Sequence, residues 1–231
     1  MNDFVDILRE NLDITQHKTL KVALHEAFKK TIILGDIPAG GRINEKEISE
    51  KLNISRTPIR HALEKLEEEK LVERKHGSGV IVQGISLKDA HEIYDIRKAL
   101  DTLATITASK KMTDEDFEDL EDLLTRSDEY YKNKQIEELL DSFKQFNHFI
   151  YEKSEMKRLA SIINELREYL SYFRDMSITS DVRSGPALDD HWIIFYTMKT
   201  KDWNKLEKII HRHLDDSLTF ILEEMERRNI E

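Results

Sequence analysis

The sequence predicts a mainly α-helical protein, in which a small winged helix-turn-helix precedes a larger all-α helical bundle. Apolar residues recur at the 3.6-residue period of helices along most of the 231 residues, and only 7 Gly and 3 Pro interrupt them. Residues 71–82 instead show two short strand patterns around a glycine-containing tip. We therefore expect an N-terminal extension over residues 1–18, the winged domain over residues 19–84 and the helical domain over residues 85–231.

Composition indicates a globular chain whose charge is unevenly spread. The chain has no Cys, no apolar run near the ~18 residues of a membrane span, and no apolar core typical of a signal peptide at its start. We expect a cytoplasmic protein with no membrane partner. The net charge of −10 argues against nucleic acid, but residues 19–83 hold 12 Lys and Arg against 10 Asp and Glu, whereas residues 84–231 hold 22 against 32. This asymmetry indicates two domains with different roles.

Three helices are expected before the hairpin. The first runs over residues 19–34 and ends where Gly and Pro interrupt residues 35–41. The second follows Asn44 and the third follows Ser55, and the side chains of both residues are expected to act as N-caps. Pro58 is tolerated in the first turn of the third helix. A buried stripe at helical spacing is formed in the third helix by Ile59, Ala62, Leu63 and Leu66.

About six further helices are expected in the helical domain. Glycine is nearly absent after residue 86, and the apolar period stays helical. The predicted ranges are 87–109, a helix beginning at Thr113, 135–153, 156–177, 186–200 and 202–228.

The third helix carries two arginines at the end where cations are least stable. The N-terminus of a helix has a partial positive charge, so Arg56 and Arg60 each destabilise the helix by a few tenths of a kcal/mol. A recognition helix has a reason for this arrangement, because its N-terminal residues enter the DNA major groove. Arg56 and Arg60 share a face and could grip guanine or phosphate, and the hydroxyls of Ser55 and Thr57 could donate to phosphate. The open alternative is that both arginines are solvated side chains paired with Glu64.

The stretch from Leu24 to Val82 resembles the DNA-binding domain of the GntR family of bacterial transcription regulators. The resemblance rests on Ser55-Arg-Thr-Pro-Ile-Arg60-x-Ala62-Leu63, preceded by Asn44-Glu-Lys-Glu-Ile-Ser-Glu-Lys-Leu52 and followed by the Gly77-x-Gly79-Val80 wing. It implies that Lys46, Arg56 and Arg60 contact DNA and that His76 and Gly77 form a wing tip that enters the minor groove. The sequence departs from the family at His61, where Glu is usual, and at Lys70, where Gly is usual.

The helical domain resembles the FadR-like effector domain called FCD. The resemblance rests on Arg97-x-x-Leu100-Asp101, on Phe146 to Ser154 with Leu159, and on Asp190-His191 followed by Asp202 and His213-Leu214. Such domains often hold a divalent metal with one Asp and three His. Only His191 and His213 match that set, because Phe143 and Asn147 occupy the other two positions.

We therefore expect no firm metal cofactor in this domain. The preferred hypothesis is a metal-free pocket in which Arg97, Asn147, His191 and His213 hold a small anionic or carboxylate metabolite. A metal-dependent sensor that uses His191 and His213 remains the alternative. The other histidines singled out, which are expected at the surface, are His25, His91 and His211.

The predicted function is a dimeric transcriptional regulator whose affinity for operator DNA is switched by a small effector. A metal hydrolase is a competing hypothesis, but the sequence shows no paired carboxylates, nucleophile–base motif or Gly-rich phosphate loop. The third hypothesis is a helical partner-binding protein that does not bind DNA. The basic set of Lys46, Arg56 and Arg60 disfavours it.

Overall fold

The computed structural model describes residues 4–13, 19–77, 79–178 and 181–231, and it confirms the predicted mainly α-helical fold. The chain divides into two units. The winged unit contains the residues up to Asp89 and the C-terminal segment Met225–Glu231, and the helical unit contains Ala90–Glu224. In the described part of the chain, no helix is both long enough and apolar enough to cross a lipid bilayer.

Among the described residues, strands occur only in the first part of the chain, where they are mixed with helices. This part contains α1 (Phe4–Asn11), α2 (Leu20–Ile33), β1 (Arg42–Ile43), α3 (Glu45–Leu52), α4 (Arg56–Glu68), β2 (Val72–Lys75) and β3 (Gly79–Val82). The rest contains α5 (Leu87–Lys111), α6 (Asp114–Lys132), α7 (Ile136–Ser154), α8 (Lys157–Tyr169), α9 (Ser171–Ile178), α10 (Asp181–Thr200) and α11 (Trp203–Arg227).

The winged unit buries the apolar faces of α2 and α4 against each other. Phe28 on α2 and Ile59 and Leu63 on α4 are fully buried, as their helical spacing predicts. The wing is a three-stranded antiparallel sheet in the order β1-β3-β2, in which Val72 pairs with Val82 and Ile43 pairs with Val80. The two-residue strand β1 is absent from the sequence prediction, because so short a segment carries no period.

The two predicted N-caps behave differently. The Asn44 side chain accepts from the amides of Lys46 and Glu47, so this cap is confirmed. Ser55 occupies the N-cap position of α4, but its hydroxyl makes no capping hydrogen bond. The expectation that Ser55 caps the helix is therefore wrong in that respect, and its hydroxyl lies exposed at the start of α4.

The described part of the N-terminal extension packs on the winged unit. Val5 and Leu8 of α1 are fully buried. Asn11 Nδ2 donates to Thr31 Oγ1 at 3.1 Å, and Arg9 Nη2 donates to the Lys51 carbonyl oxygen at 2.7 Å. Residues 1–3 and 14–18 lie outside the described residues.

His25 is buried in the winged unit, so its predicted surface location is wrong. Its Nε2 lies 2.9 Å from Glu69 Oε1, and Lys29 Nζ lies 3.1 Å from Glu69 Oε2. Burial of Glu69 opposes ionisation, but the hydrogen bonds from His25 and Lys29 outweigh it and lower the pKa of the carboxyl group. His25 and Lys29 of α2 thus pack around the carboxylate of Glu69, which follows the end of α4.

The C-terminal segment also belongs to the winged unit. Arg228 Nη1 donates to the Leu34 carbonyl oxygen at 3.3 Å. The Ile230 side chain lies 3.2 Å from the point where a Cβ on Gly35 would stand, and Gly35 has a φ of +76°. The expected division at residues 84 and 85 places this segment with the helical domain, whereas the structure places residues 225–231 in the winged unit.

The described residues of the helical unit form one more helix than predicted. The range 156–177 is divided at Leu170 into α8 and α9, and neither Gly nor Pro marks that point in the sequence. The next helix, α10, begins at Asp181, so Pro186 lies inside it rather than at its start. The predicted helix start at Thr113 is confirmed, since Thr113 caps α6 and forms a capping box with Asp116.

Candidate functional site

Five basic side chains line one groove on the winged unit. They are Arg42 on β1, Lys46 on α3, Arg56 and Arg60 on α4 and Arg74 on β2, and the last three lie around the side chain of Glu45. The sequence predicted Lys46, Arg56 and Arg60, and the structure brings them together. Arg42 and Arg74 were missed, because a single arginine in a short strand gives no positional signal.

Glu45 is the carboxylate that these arginines share. Its carboxylate oxygens lie 3.0 Å from Arg74, 3.5 Å from Arg60 and 3.7 Å from Arg56. The Glu45 side chain is only 12% exposed, whereas Arg56 and Arg60 are about half exposed. The expected alternative partner, Glu64, instead lies 3.2 Å from His61.

The charge of Glu45 is held by its neighbours. Burial disfavours the ionised form, but the hydrogen bond and charge of Arg74, together with Arg60, lower the pKa of the carboxyl group below its usual value. The carboxylate therefore stays ionised and orients guanidinium groups from α4 and β2. The arginines keep exposed donors that can bind a polyanion such as the DNA backbone or a guanine edge.

The remaining predicted DNA-binding residues are exposed on the winged unit. Ser55 and Thr57 are exposed at the start of α4, where the first amides of a helix favour an anion. His76 and Gly77 are exposed in the turn that follows β2, and Gly77 has a φ of +79°. His76 and Gly77 do not line the groove around Glu45.

The four predicted effector residues line one cavity in the helical unit. Arg97 comes from α5, Asn147 from α7, His191 from α10 and His213 from α11. The cavity has a volume of about 70 Å³. Since a buried water needs ~10–15 Å³ on this scale, the cavity accommodates a compact ligand group rather than a large molecule.

His191 is buried among aromatic rings at the cavity wall. It is 3% exposed, the Phe146 ring stacks on it at 4.4 Å between centroids, and the Phe143 ring meets it edge-on at 4.7 Å. Burial, with the charges of Arg167 and Arg183 and the neighbouring His213, lowers the pKa of His191 well below 6.5. His191 is therefore a neutral imidazole, and its buried Nδ1 has no hydrogen-bond partner among the described residues.

The side chains around His191 do not fit a divalent metal. The Phe143 ring occupies the place where the family resemblance implies an Asp ligand, and a ring supplies no donor atom. Asn147 Nδ2 donates to the Phe143 carbonyl oxygen at 2.7 Å, so this amide is engaged with its own helix. Among the residues that the structure describes, no three His, Asp, Glu or Cys side chains converge as a metal site.

His213 is fixed by a carboxylate instead. Its Nδ1 lies 3.2 Å from Asp190 Oδ2, and Asp190 also accepts a hydrogen bond from Arg212. Burial opposes ionisation of Asp190, but these partners lower the pKa of its carboxyl group. The imidazole of His213 is thereby oriented within 5.1 Å of the His191 ring, measured between centroids.

Arg97 lines the cavity as predicted, but its guanidinium is already paired. Its Nε and Nη2 each lie 3.2 Å from Asp101 Oδ2, and the Tyr151 hydroxyl donates to Asp101 Oδ1. Burial lowers the pKa of Arg97, but the adjacent Asp101 together with Tyr94 and Tyr151 outweighs this effect and raises the pKa. Arg97 and Asp101 therefore form a neutral buried pair, and an incoming anion needs other cations.

Three further arginines that the sequence did not predict also line the cavity. These are Arg167 on α8, Arg174 on α9 and Arg183 on α10. Arg167 Nε is buried without a hydrogen-bond partner among the described residues. Arg183 is 5% exposed and Nη1 donates to the Ser217 carbonyl oxygen at 3.5 Å. Arginines on helices are usually solvated, so their sequence positions alone did not reveal this inward face.

Comparison with known families agrees with the two units. Residues 20–82 match the model of the bacterial regulatory proteins of the gntR family, and residues 92–216 match the FCD domain. The chain belongs to the GntR family. It is therefore a transcriptional regulator with a helix-turn-helix domain and an FCD effector domain, and it is not an enzyme.

Several curated regulators are similar to this GntR-family chain over most of its length. The HTH-type transcriptional regulator YdhC of Bacillus subtilis is 26% identical over 87% of this chain and 91% of its own length. The gluconate operon transcriptional repressor of Bacillus licheniformis is 28% identical over 82% of this chain and 79% of its own length. The predicted regulator function is thus confirmed at the level of the family.

Solved structures share the fold. The Lar regulator of Listeria monocytogenes covers 90% of this chain and 99% of its own with a TM-score of 0.68 at 14% identity. E. coli McbR/YncC covers 89% of this chain and 98% of its own with a TM-score of 0.62 at 19% identity. These likenesses support the arrangement of elements and nothing finer.

Proposed function

We propose that this GntR-family regulator binds operator DNA as a two-fold dimer, and that a small anion in the helical unit switches its operator affinity without a metal. The observation that carries the proposal is the cavity lined by arginines, in which His191 Nδ1 and Arg167 Nε are buried without hydrogen-bond partners among the described residues. Buried polar groups normally have hydrogen-bond partners, so such orphans favour a ligand that supplies them.

The DNA-binding half of the proposal rests on the groove around Glu45. Arg56 and Arg60 lie four residues apart on the exposed first turns of α4, and Lys46 and Arg74 flank them. In a helix-turn-helix these turns enter the major groove, where arginine can bind guanine O6 and N7 together. The exposed Ser55, Thr57, His76 and Gly77 are proposed to contact the sugar–phosphate backbone and the neighbouring groove.

A second copy of the chain is expected because one winged domain buries only ~600–1,000 Å² on DNA. Helix α5 offers a surface for it. One face of α5 is buried, yet the opposite face is also apolar, with Ile96 41% exposed and Leu103 46% exposed. The residues of this face, which we call the α5 seam, alternate in steps of four and three: Glu92, Ile96, Ala99, Leu103, Ile106 and Lys110.

The α5 seam is complementary to itself in an antiparallel pair. Alternating steps of four and three residues form the apolar line along which two helices pack. If the two copies of α5 cross near residue 101, Glu92 faces Lys110 of the second copy and Ala99 faces Leu103. The acidic end of each α5 then attracts the basic end of the other copy, and two-fold symmetry makes these two contacts equivalent.

The absence of cysteine from the sequence makes this pairing directly testable. An Ala99→Cys, Leu103→Cys variant is expected to form covalent dimers on mild oxidation. A matched pair on α6, Glu118→Cys with Asp122→Cys, has the same spacing on an exposed face and is expected to stay monomeric on denaturing gels. A dimer in solution that crosslinks no better through the α5 seam than through α6 would assign dimerisation to another surface.

The effector half of the proposal is supported by chemistry and by a relative. Guanidinium groups bind carboxylates through two parallel hydrogen bonds, and a neutral imidazole can donate or accept one more. Asn147 and His213 would complete the lining, and Arg97 would act mainly through its pair with Asp101. A similar regulator is named for the gluconate operon, and gluconate is a sugar carboxylate, which makes it a reasonable first probe.

The test begins with selection of the operator from random duplex DNA by the full-length protein. Affinity for the selected duplex is then measured by fluorescence anisotropy with and without gluconate and related acids, in buffer with and without a chelator. We expect at least one acid to change the affinity ~5–150-fold, with no effect of the chelator. Arg167→Gln is expected to remove the response and leave the ligand-free operator affinity unchanged.

Two results would contradict the proposal. A response that disappears with the chelator and returns with zinc would favour the metal-dependent sensor. Failure to enrich any duplex would favour a helical partner-binding protein without DNA binding.

A further inference from the structure

Helix α4 has an exposed face that takes no part in the groove around Glu45. Its apolar side, which begins at Ile59, is buried in the winged unit. The opposite side carries Thr57, His61 and Glu64, which are spaced by four and three residues and are all exposed. None of these three side chains lines the groove. They therefore form a second polar surface on the same helix.

This face has the spacing with which a recognition helix contacts bases. In homeodomains, residues at positions i, i+3, i+4 and i+7 of the recognition helix lie in the major groove. Counted from Thr57, the same spacing selects Arg60, His61 and Glu64 on α4. Arg60 also lines the groove around Glu45, so it is common to both surfaces. His61 and Glu64 thus lie beside the arginine that is proposed to contact a base.

The imidazole of His61 faces the carboxylate of Glu64. Nδ1 of His61 lies 3.2 Å from Glu64 Oε2, and the two side chains are 61% and 48% exposed. Among the described residues, no other polar group contacts the His61 ring. The partner of one ring nitrogen sets which nitrogen carries the proton, so the carboxylate favours the tautomer protonated at Nδ1. Nε2 is then a hydrogen-bond acceptor without a partner in the described part of the chain.

An acceptor at this place complements the arginines, which only donate. In the major groove, guanine presents acceptors at O6 and N7, whereas adenine N6 and cytosine N4 present amino donors. Arg60 therefore suits guanine, and His61 Nε2 suits the amino group of an adenine or a cytosine. A carboxylate on a DNA-facing surface weakens the attraction to phosphates. This loss is consistent with a role for Glu64 in orienting the imidazole.

We propose that His61 is a specificity-determining residue of the recognition helix, and that its Nε2 accepts a hydrogen bond from the amino group of an adenine or cytosine in each half of the operator. Glu64 is the positioning residue that holds the ring. The proposal rests on the proposed function, since it adds a base contact to the DNA-binding surface of α4. It concerns specificity rather than overall attraction, because sequence is read at base edges and not at phosphates.

The first test compares the base preferences selected by variants at this position. Operator selection from random duplex DNA is repeated with the full-length His61→Ala and His61→Gln variants. His61→Ala is expected to lower the preference at one base pair of each half-site ~5-fold or more and to leave the other positions unchanged. His61→Gln provides an amide oxygen near the place of Nε2, so it is expected to restore much of the preference.

Modified duplexes then test the contact itself. The adenine or cytosine at the assigned position is replaced by purine deoxyriboside or 2-pyrimidinone deoxyriboside, which lack the amino group. Measured by anisotropy, this change should weaken binding of the wild type ~5-fold and binding of His61→Ala by less than about twofold, because the variant has no contact left to lose. The comparison separates a direct contact from a structural effect of the substitution.

Glu64→Gln tests the positioning role. It is expected to lower the preference at the base pair assigned to His61 several-fold, while the preferences at all other base pairs stay within about twofold. Glu68→Gln is the matched control, since it makes the same charge change on an exposed residue one turn further along the same face. The control is expected to leave every base preference unchanged.

Two outcomes would overturn this proposal alone. One is an unchanged base preference in His61→Ala, and the other is equal weakening of the wild type and His61→Ala when the amino group is removed. The proposed function would survive both, because an operator is still selected, and His61 and Glu64 would be only a surface ion pair. Failure of the wild type to select any duplex would refute the proposed function and this proposal together.

Discussion

The groove around Glu45 and the cavity around His191 both gather arginines, but they treat the charge in opposite ways. In the groove, Arg56, Arg60 and Arg74 converge on one ionised carboxylate and remain open to solvent. In the cavity, one carboxylate neutralises Arg97, and the other arginines line the same partly buried space. The exposed groove suits a long polyanion such as DNA, whereas the cavity suits a small anion.

The largest expected effect removes the arginines of the groove. Arg56→Ala and Arg60→Ala should each weaken binding to the selected operator by about 1–3 kcal/mol, or roughly 5- to 150-fold, because each loses a paired contact with a base or phosphates. Lys65→Ala removes an exposed positive charge from the last turn of the same helix and serves as the control. Anisotropy at fixed salt measures all three, and unchanged binding in both arginine variants would refute the assignment of α4 as the recognition helix.

The next largest effect is expected from two substitutions that convert the cavity into the metal site that the family resemblance implies. Phe143→Asp with Asn147→His would supply the missing anionic ligand and a third imidazole beside His191 and His213. Zinc at ~100 times its dissociation constant should then stabilise the double variant by about 2.7 kcal/mol, and no such shift is expected for the wild type.

Metal analysis and thermal unfolding with zinc or a chelator provide the measurement. Phe143→Leu with Asn147→Gln controls for the loss of packing, since it changes the same positions without adding donors. Equal zinc binding by the wild type would mean that the side chains around His191 rearrange to accept a metal.

A smaller effect is expected from the carboxylate at the centre of the groove. Glu45→Gln removes the charge that orients the arginines, so specific binding should weaken while non-specific binding strengthens through the lost repulsion of phosphate. The ratio of specific to non-specific affinity should fall about tenfold, which corresponds to about 1.4 kcal/mol.

Glu47→Gln provides the comparison for this variant. It makes the same charge change on α3, where Glu47 pairs with Lys51 instead of with the arginines of the groove. If both variants shift the specificity ratio equally, Glu45 acts only through net charge and not by orienting its neighbours.

The smallest effect concerns a residue outside both sites. Lys70 is exposed and has a φ of +61°, in the left-handed region that disfavours side chains with a Cβ. This is the position where the family resemblance expects Gly. Lys70→Gly should therefore raise the free energy of unfolding of the winged unit by about 0.5–1 kcal/mol and leave operator affinity unchanged, as chemical denaturation and anisotropy would show.

Local patterns in the sequence predicted most of the fold and part of each site. Helical spacing identified the buried face of α4, and the family resemblance led to Lys46, Arg56 and Arg60 in one groove. Glu45 and Arg74 were missed because their contact joins residues 29 positions apart through the pairing of the wing. No local period encodes such a contact.

The cavity was harder to predict for a related reason. The histidines were found because their spacing matches a family pattern, but Arg167, Arg174 and Arg183 lie on three different helices whose packing around the cavity no local period encodes. His25 was misplaced for the same reason, since its burial depends on how α2 packs against α4 rather than on its own helix.

The location of the last seven residues limits how this protein can be divided. Residues 225–231 lie in the same unit as α1 to α4, where Arg228 binds the Leu34 carbonyl oxygen and Ile230 covers Gly35. A fragment that stops in the linker near residue 84 would look like a complete DNA-binding domain by sequence. It would nevertheless expose a surface that residues 225–231 cover in the intact chain.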